Sequence, residues 1–386
     1  MKRIHSIDFV RGLVMIIMAL DHIRDLTHVD SLTQDPTNLA TTTSFLFFTR
    51  WITHICAPTF VFLSGVSACF SFKAKNNVLN SAKFLISRGL WLIFLEFSII
   101  NFGIWSDIHF NEFIFQVIAT IGCGFVVLGL CLKIPPKVLG AIGLVIICAH
   151  NLFPLIPFED KSMAKMILST IFLPSVTAIT PHTTLLLVYP PIPWLGVMLL
   201  GFGSGFLFQL PDEKRKSAFL RIAGFLIALF LVLRWSNLYG DPASWSKQKN
   251  DLFTFLSFMN VTKYPPSLLY CSITLGIMFV LLYFSEGVQN RFKRIISIYG
   301  KVPLFYYIIH WYTAHIIMYF ILFAQGFTVS DFQYGFNFGR PKAESGLPLW
   351  GVYLIWIFIV TALYPLCKWY GNYKDKHREK TWLRYL

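Results

Sequence analysis

Charge is what this chain has least of. Only 13% of its 386 residues are Asp, Glu, Lys or Arg, about half of the roughly 25% usual in a soluble domain. Hydrophobic residues make up 55%, with 39 Phe, 16 Tyr and 11 Trp, which excludes a soluble globular protein and implies an integral membrane one. Cysteine occurs 7 times, at positions 56, 69, 123, 131, 148, 271 and 367. None of these has metal-ligand spacing, and all lie in or beside apolar segments, so they read as small packing residues with no metal or disulfide expected. A signal-peptidase site is missing too: Met1-Lys-Arg leads into a long apolar run with no small-residue cleavage motif behind it, so that run is expected to be the first span. The formal net charge is +14, but the basic residues are scattered between apolar segments and form no aromatic–basic groove, which argues against nucleic acid. No internal repeat stands out.

What is there is a succession of long apolar runs. Ten are expected to be transmembrane helices, at 7–27, 49–72, 82–104, 112–132, 137–157, 184–208, 217–236, 265–285, 295–323 and 347–370. The connections alternate in charge. The side holding the N-terminus collects 22 Lys and Arg against five acids, and the opposite side ten against twelve, with Asp8, Arg11 and Glu96 set aside as intramembrane. The positive-inside rule then places both termini in the cytoplasm, as an even number of spans requires. The expected fold is an all-α polytopic membrane bundle of about ten helices, one domain over 1–386, in the cytoplasmic (inner) membrane. The long loops 28–48, 158–183, 237–264 and 324–346 all fall on the outer side, where a binding site is usually built.

The first span is apolar yet carries Asp8, Arg11, Asp21, His22, Arg24 and Asp25. At about 100° per residue, Arg11 and His22 return to within ~20° of one another on the helix, and Asp8 and Asp25 fall within ~60° of that line. The rise of ~1.5 Å per residue separates Arg11 from His22 by ~16 Å, half a hydrocarbon core. Ionisable groups at that depth are costly and mark a functional site by default. A plainer reading has Asp8 and Arg11, at i and i+3, pair and snorkel.

Further polar residues stand in other spans. His54 sits at the depth of His22, with Pro58 able to open the backbone beside it, or it is an interfacial histidine ahead of a proline kink. Arg88 lies near the cytoplasmic end of the third span and Glu96 halfway down it; Glu96 serves proton transfer or pairs with a neighbouring helix. Lys263 and Tyr264 precede two prolines that fix the geometry of the following helix. In the ninth span Lys301, with Gly300, could hold a phosphate through charge and backbone N–H groups, and a positive-inside anchor explains it equally. His310 is a third histidine in the outer half of the membrane or at its edge.

The segments Ser6-Ile-Asp-Phe-Val-Arg-Gly12, Ala19-Leu-Asp-His-Ile-Arg-Asp25, Phe48-Thr-Arg-Trp-Ile-Thr-His-Ile-Cys-Ala-Pro58, Arg88-Gly-Leu-Trp-Leu-Ile-Phe-Leu-Glu96, Asn260-Val-Thr-Lys-Tyr-Pro-Pro266 and Gly300-Lys-Val-Pro-Leu-Phe-Tyr-Tyr-Ile-Ile-His310 occur in order. With them the chain resembles the bacterial branch of the heparan-alpha-glucosaminide N-acetyltransferase-like membrane family. The Arg11–His22 spacing is also similar to the Arg-to-His pattern of the wider transmembrane acyltransferase superfamily. The resemblance implies an enzyme that takes acetyl-CoA from the cytoplasm and acylates an acceptor across the membrane, for eukaryotic members the terminal glucosamine amine of heparan sulfate. This chain departs from the eukaryotic pattern in one place. That pattern has Asn where His22 stands and its active-site His about eleven residues later, where this chain has Thr33; the nearest histidine is His28.

Acyl transfer needs a base that deprotonates an amine or hydroxyl, or a nucleophile that carries the acyl group, and histidine suits both. His22 is the expected catalytic residue, with Asp21 or Asp25 orienting or charging it and His28 as the eukaryotic-style alternative. Arg11, Arg88 and Lys301 are expected on the acetyl-CoA side. His54, Lys263 and His310 are candidates for acceptor binding or oxyanion stabilisation. The expected partners are acetyl-CoA, a glycan or amino-sugar acceptor and the lipid bilayer, with a homodimer compatible with the reading. The rival function is a proton-coupled secondary transporter, since buried Asp, Glu and His serve carriers too. Discontinuous helices and inverted repeats would favour it.

Overall fold

The computed structural model describes residues 4–75, 77–159, 162–287 and 290–385. Its helices are α1 (His5–Thr27), α2 (Ser44–Trp51), α3 (Cys56–Lys75), α4 (Val78–Leu95), α5 (Asn101–Trp105), α6 (Val117–Cys131), α7 (Pro136–Ala149) and α8 (Met163–Phe172). They continue with α9 (Pro191–Gly203), α10 (Asp212–Ser236), α11 (Asp251–Met259), α12 (Leu268–Ser285), α13 (Arg291–Lys301), α14 (Pro303–Ala324) and α15 (Leu349–Lys376). A 3₁₀ turn joins α2 to α3, and a π turn over Glu96–Ile100 joins α4 to α5. Among the described residues, eight helical segments, counting each of these joined pairs as one, are long and apolar enough to cross a membrane. The charged α1 and the shorter α6 lie packed among them, so the architecture is an all-α polytopic membrane bundle.

Local sequence explains most helix starts. Thr43, Asn77, Asn250, Ser267 and Asn290 each accept a backbone N–H of the first turn through the side chain, as N-caps do. Proline stands at the first turn of α7, α9 and α14, where its missing N–H costs nothing.

α1 is the central element, packed against α13, α14, α15, α3 and α12. Its contact with α13 is made backbone to backbone. A Cβ on Gly12 would meet the Ile296 carbonyl, and one on Gly300 the Asp8 carbonyl; small residues permit this approach in membrane bundles. Being enclosed by protein, α1 presents its charged residues to partners and cavities instead of lipid.

Three expected spans differ in detail. The segment 112–132 opens as a strand, β1 (Glu112–Phe115), before α6, and 184–208 opens as β3 (Thr183–Leu187) before α9. With β2 (Ser175–Thr180) these form a sheet of order β1-β3-β2, β1 parallel and β2 antiparallel to β3. Apolar and β-branched runs of this kind suit a strand as readily as a helix end. The expected span 295–323 breaks at Val302, whose ψ of 48° is non-helical, because Pro303 disfavours the α region for the residue before it.

Contacts sort the loops into two ends. At one end Ser6 donates to Glu286, Lys73 to Gln209, and Ser87 bonds Tyr385. At the other, Val29 bonds Leu347, Arg340 bonds Ser31, Asn260 bonds Thr37, and Asn151 accepts from Leu268. The described chain ends therefore share one end of the bundle, as the charge partition requires.

Candidate active site

His22 projects from α1 near its C-terminal end and stacks on Trp311 of α14, with ring centroids 4.2 Å apart. One helical turn before His310, the Tyr306 carbonyl lies 3.1 Å from His310 Nδ1. A carbonyl only accepts, so Nδ1 carries the proton, and in the neutral imidazole His310 Nε2 is the lone-pair nitrogen. His22 Nδ1 is 2.7 Å from that Nε2 and must be the donor. The chain of bonds thus assigns the His22 tautomer and leaves its Nε2 as a lone pair. No hydrogen bond among the described residues reaches it.

The neighbouring acids are engaged elsewhere. Asp21 accepts from Arg50 (2.5 Å) on α2 and from Arg24 (3.0 Å), and Arg24 also holds Asp25 at 2.6 Å. Orientation of His22 therefore falls to His310, while Asp21 fixes α2 against α1. Asp25 makes no hydrogen bond to either histidine among the described residues.

A cavity of about 30 Å³ lies against His22. Asp21, Thr53, Cys56, Gln116, Tyr189, Lys263 and Tyr307 are among its walls. The sheet supplies two of them. Gln116 follows β1 and Tyr189 follows β3, and the Tyr189 N–H donates to the Phe115 carbonyl across the pair. Glu96 and Asn101 hold this junction. Glu96 Oε2 accepts the Ala119 N–H (2.8 Å) in the first turn of α6, where a carboxylate complements the helix dipole. Asn101 pins β1 through Ile114 N–H and the Glu112 carbonyl. Lys263 Nζ lies over the Tyr264 ring at 4.9 Å.

Two more cavities continue from this one toward the end that holds the termini. The first, about 260 Å³, is lined by Arg11, Arg88, Ser64, Ser67, Ser71, Met15 and apolar residues, and shares Phe60, Val117 and Tyr307 with the His22 cavity. The second, about 830 Å³, carries His5, Asp8, Asp212, Arg215 and Glu286, and shares Arg11, Ser67 and Ser71 with the first. The three lie in series along α1. Arg11 bonds Ser67 Oγ at 2.9 Å, and the Arg88 guanidinium lies 5.7 Å from the Phe125 ring centre.

The structure thus brings together His22, Asp21, His310 and Lys263 at one end of this path, and Arg11 and Arg88 along it. Other expected site residues stand apart. His54 donates through Nδ1 to the Arg50 carbonyl at 3.1 Å and packs on Tyr270, behind the cavity wall. Lys301 closes α13 and lines none of these cavities. His28 follows α1; its backbone pairs with Leu347 and Arg340, its side chain is buried, and burial pushes its pKa below the usual imidazole range. Sequence reasoning missed Arg50, Gln116, Tyr189 and Tyr307. A search for the counter-ion that buried Asp21 needs could have found Arg50. The other three depend on a sheet and a helix break that bring distant segments together.

A family model described as "Heparan-alpha-glucosaminide N-acetyltransferase, catalytic" matches residues 3–238. The match takes in Arg11, Asp21, His22, Arg50 and Arg88, while Lys263 and His310 lie beyond it. No curated protein matches the chain.

Proposed function

The chain belongs to the heparan-alpha-glucosaminide N-acetyltransferase catalytic family, and from that premise we propose that it moves an acetyl group from cytoplasmic acetyl-CoA to an amine or hydroxyl of an amino sugar or glycan on the outer side of the cytoplasmic membrane. The observation that carries the proposal is the His22 lone pair at the head of a series of cavities that passes two arginines.

Arg11 and Arg88 supply positive charge for the donor's phosphates, which guanidinium binds well. The apolar walls around Met15, Leu92 and Ile121 suit the uncharged arm that links phosphates to thioester. That arm would have to span the ~16 Å rise from Arg11 to His22. In the transfer the acceptor's nitrogen or oxygen attacks the thioester carbonyl carbon, its proton passes to His22 Nε2, and the C–S bond breaks. The thiolate leaves and takes up a proton to give free CoA. His22 Nδ1–H donating to His310, and His310 Nδ1–H to the Tyr306 carbonyl, stabilise the imidazolium that forms. Tyr307, 3% exposed, offers a buried hydroxyl at the cavity wall that completes no hydrogen bond of ordinary geometry among the described residues. It is suited to the developing oxyanion, and Lys263 to the acceptor.

Purified protein given labelled acetyl-CoA and a panel of amino sugars should release CoA only when an acceptor is present. Arg11→Ala should weaken acetyl-CoA binding by ~10–100-fold, the loss of about 1.5–3 kcal/mol of charge-assisted bonding, with thermal stability kept. Unchanged affinity would confine Arg11 to a structural role, its bond with Ser67 included.

A further inference from the structure

We propose that Phe60, Val117 and Tyr307 form a neck that restricts the enzyme to short acyl donors. The inference rests on the acyl-CoA assignment above. These three residues line both the 260 Å³ cavity and the 30 Å³ cavity at His22, so an acyl group travelling to His22 passes between them. They come from three helices, α3, α6 and α14, and none from a loop. The Glu96–Ala119 bond holds the start of α6, and Tyr307 shares α14 with His310. The neck is therefore set by packed elements.

Beyond it there is little room. A water needs roughly 10–15 Å³ of such volume, so the 30 Å³ at His22 holds about two water-sized groups: the methyl of an acetyl and the attacking atom of the acceptor. The remaining walls mix the polar Asp21, Thr53, Gln116 and Lys263 with Met18, Cys56 and Ala57 of the packed helices α1 and α3, and leave no further space for methylenes. A longer chain must displace packed side chains or press against polar ones, both unfavourable. If it stays on the donor side, its carbonyl cannot reach His22.

One methylene too many in a fitted pocket costs roughly 10–200-fold in kcat/KM. Wild-type protein should therefore prefer acetyl-CoA over butyryl-CoA by at least ~10²-fold, at two methylenes of difference. Phe60→Ala should reduce that ratio by at least ~10-fold by opening the neck. Val117→Ala, a smaller change, should move it the same way and carries the measurement if the first variant does not fold. Equal use of the two donors by wild type, or an unchanged ratio in a folded variant, would overturn the neck while leaving acetyl transfer standing. Absence of CoA release with every donor would instead refute the proposed function itself.

Discussion

Replacing His22 by alanine should lower turnover by at least ~10²-fold while acetyl-CoA binding is largely kept. His22 is the histidine that lines the 30 Å³ cavity, and its bond to His310 leaves its Nε2 as the lone-pair nitrogen. His310 Nδ1 is committed to the Tyr306 carbonyl and its Nε2 to His22 Nδ1, so the lone pair at His22 Nε2 cannot migrate without breaking one of these bonds. His310→Phe removes the acceptor for His22 Nδ1–H and lets both tautomers form, so kcat should fall with KM for acetyl-CoA little changed. His310→Gln keeps a carbonyl oxygen able to accept that proton and should restore part of the loss. A merely structural role for His310 would not distinguish the two variants in this way. His28→Ala should be much milder. If instead His28→Ala abolishes turnover and His22→Ala does not, the chemistry lies in the loop after α1, as in the eukaryotic pattern.

Arg50→Ala should be the most damaging change to stability. Asp21 is nearly buried and accepts from Arg50 and Arg24, while Arg50 also donates to Thr53 Oγ1. Removing Arg50 leaves Arg24, which Asp25 already shares, as the guanidinium bonded to Asp21. Breaking a buried ion pair by deleting one partner costs about 3–5 kcal/mol, and a large fall in the melting temperature of the purified protein should follow. Asp21→Asn made in the Arg50→Ala background removes the stranded charge and should recover part of the loss. A melting temperature equal to that of wild type would show that the Asp21–Arg50 contact adds nothing to stability.

Much of this was legible in the residues. The apolar runs located the helices because a membrane span must satisfy its backbone internally and present apolar side chains outward. The eleven-residue interval from Arg11 to His22 placed both on one face of α1, and the cavities in series run along that face. The break at Val302 was written in Pro303 and is clear in retrospect. The sheet was not legible. Segments 112–115 and 183–187 are each short, apolar and attached to a helix, and only their mutual pairing makes them strands. Gln116 and Tyr189, which that pairing brings to His22, carry no signal of their own. Places on either side of His22 in the sequence suggest Asp21 or Asp25 as its partner. On a helix adjacent residues diverge by ~100°, and the Asp21 carboxylate turns to Arg50 while the imidazole turns to His310.

The most direct test of transfer across the membrane uses sealed vesicles with the protein in one orientation, acetyl-CoA confined to the side of the termini and amino sugar to the other. The account requires labelled acetyl to be recovered on the amino sugar and free CoA on the donor side, both abolished by His22→Ala. Product formed only when donor and acceptor share a compartment would contradict it, as would proton-driven uptake of the sugar with no CoA released, the behaviour of a carrier.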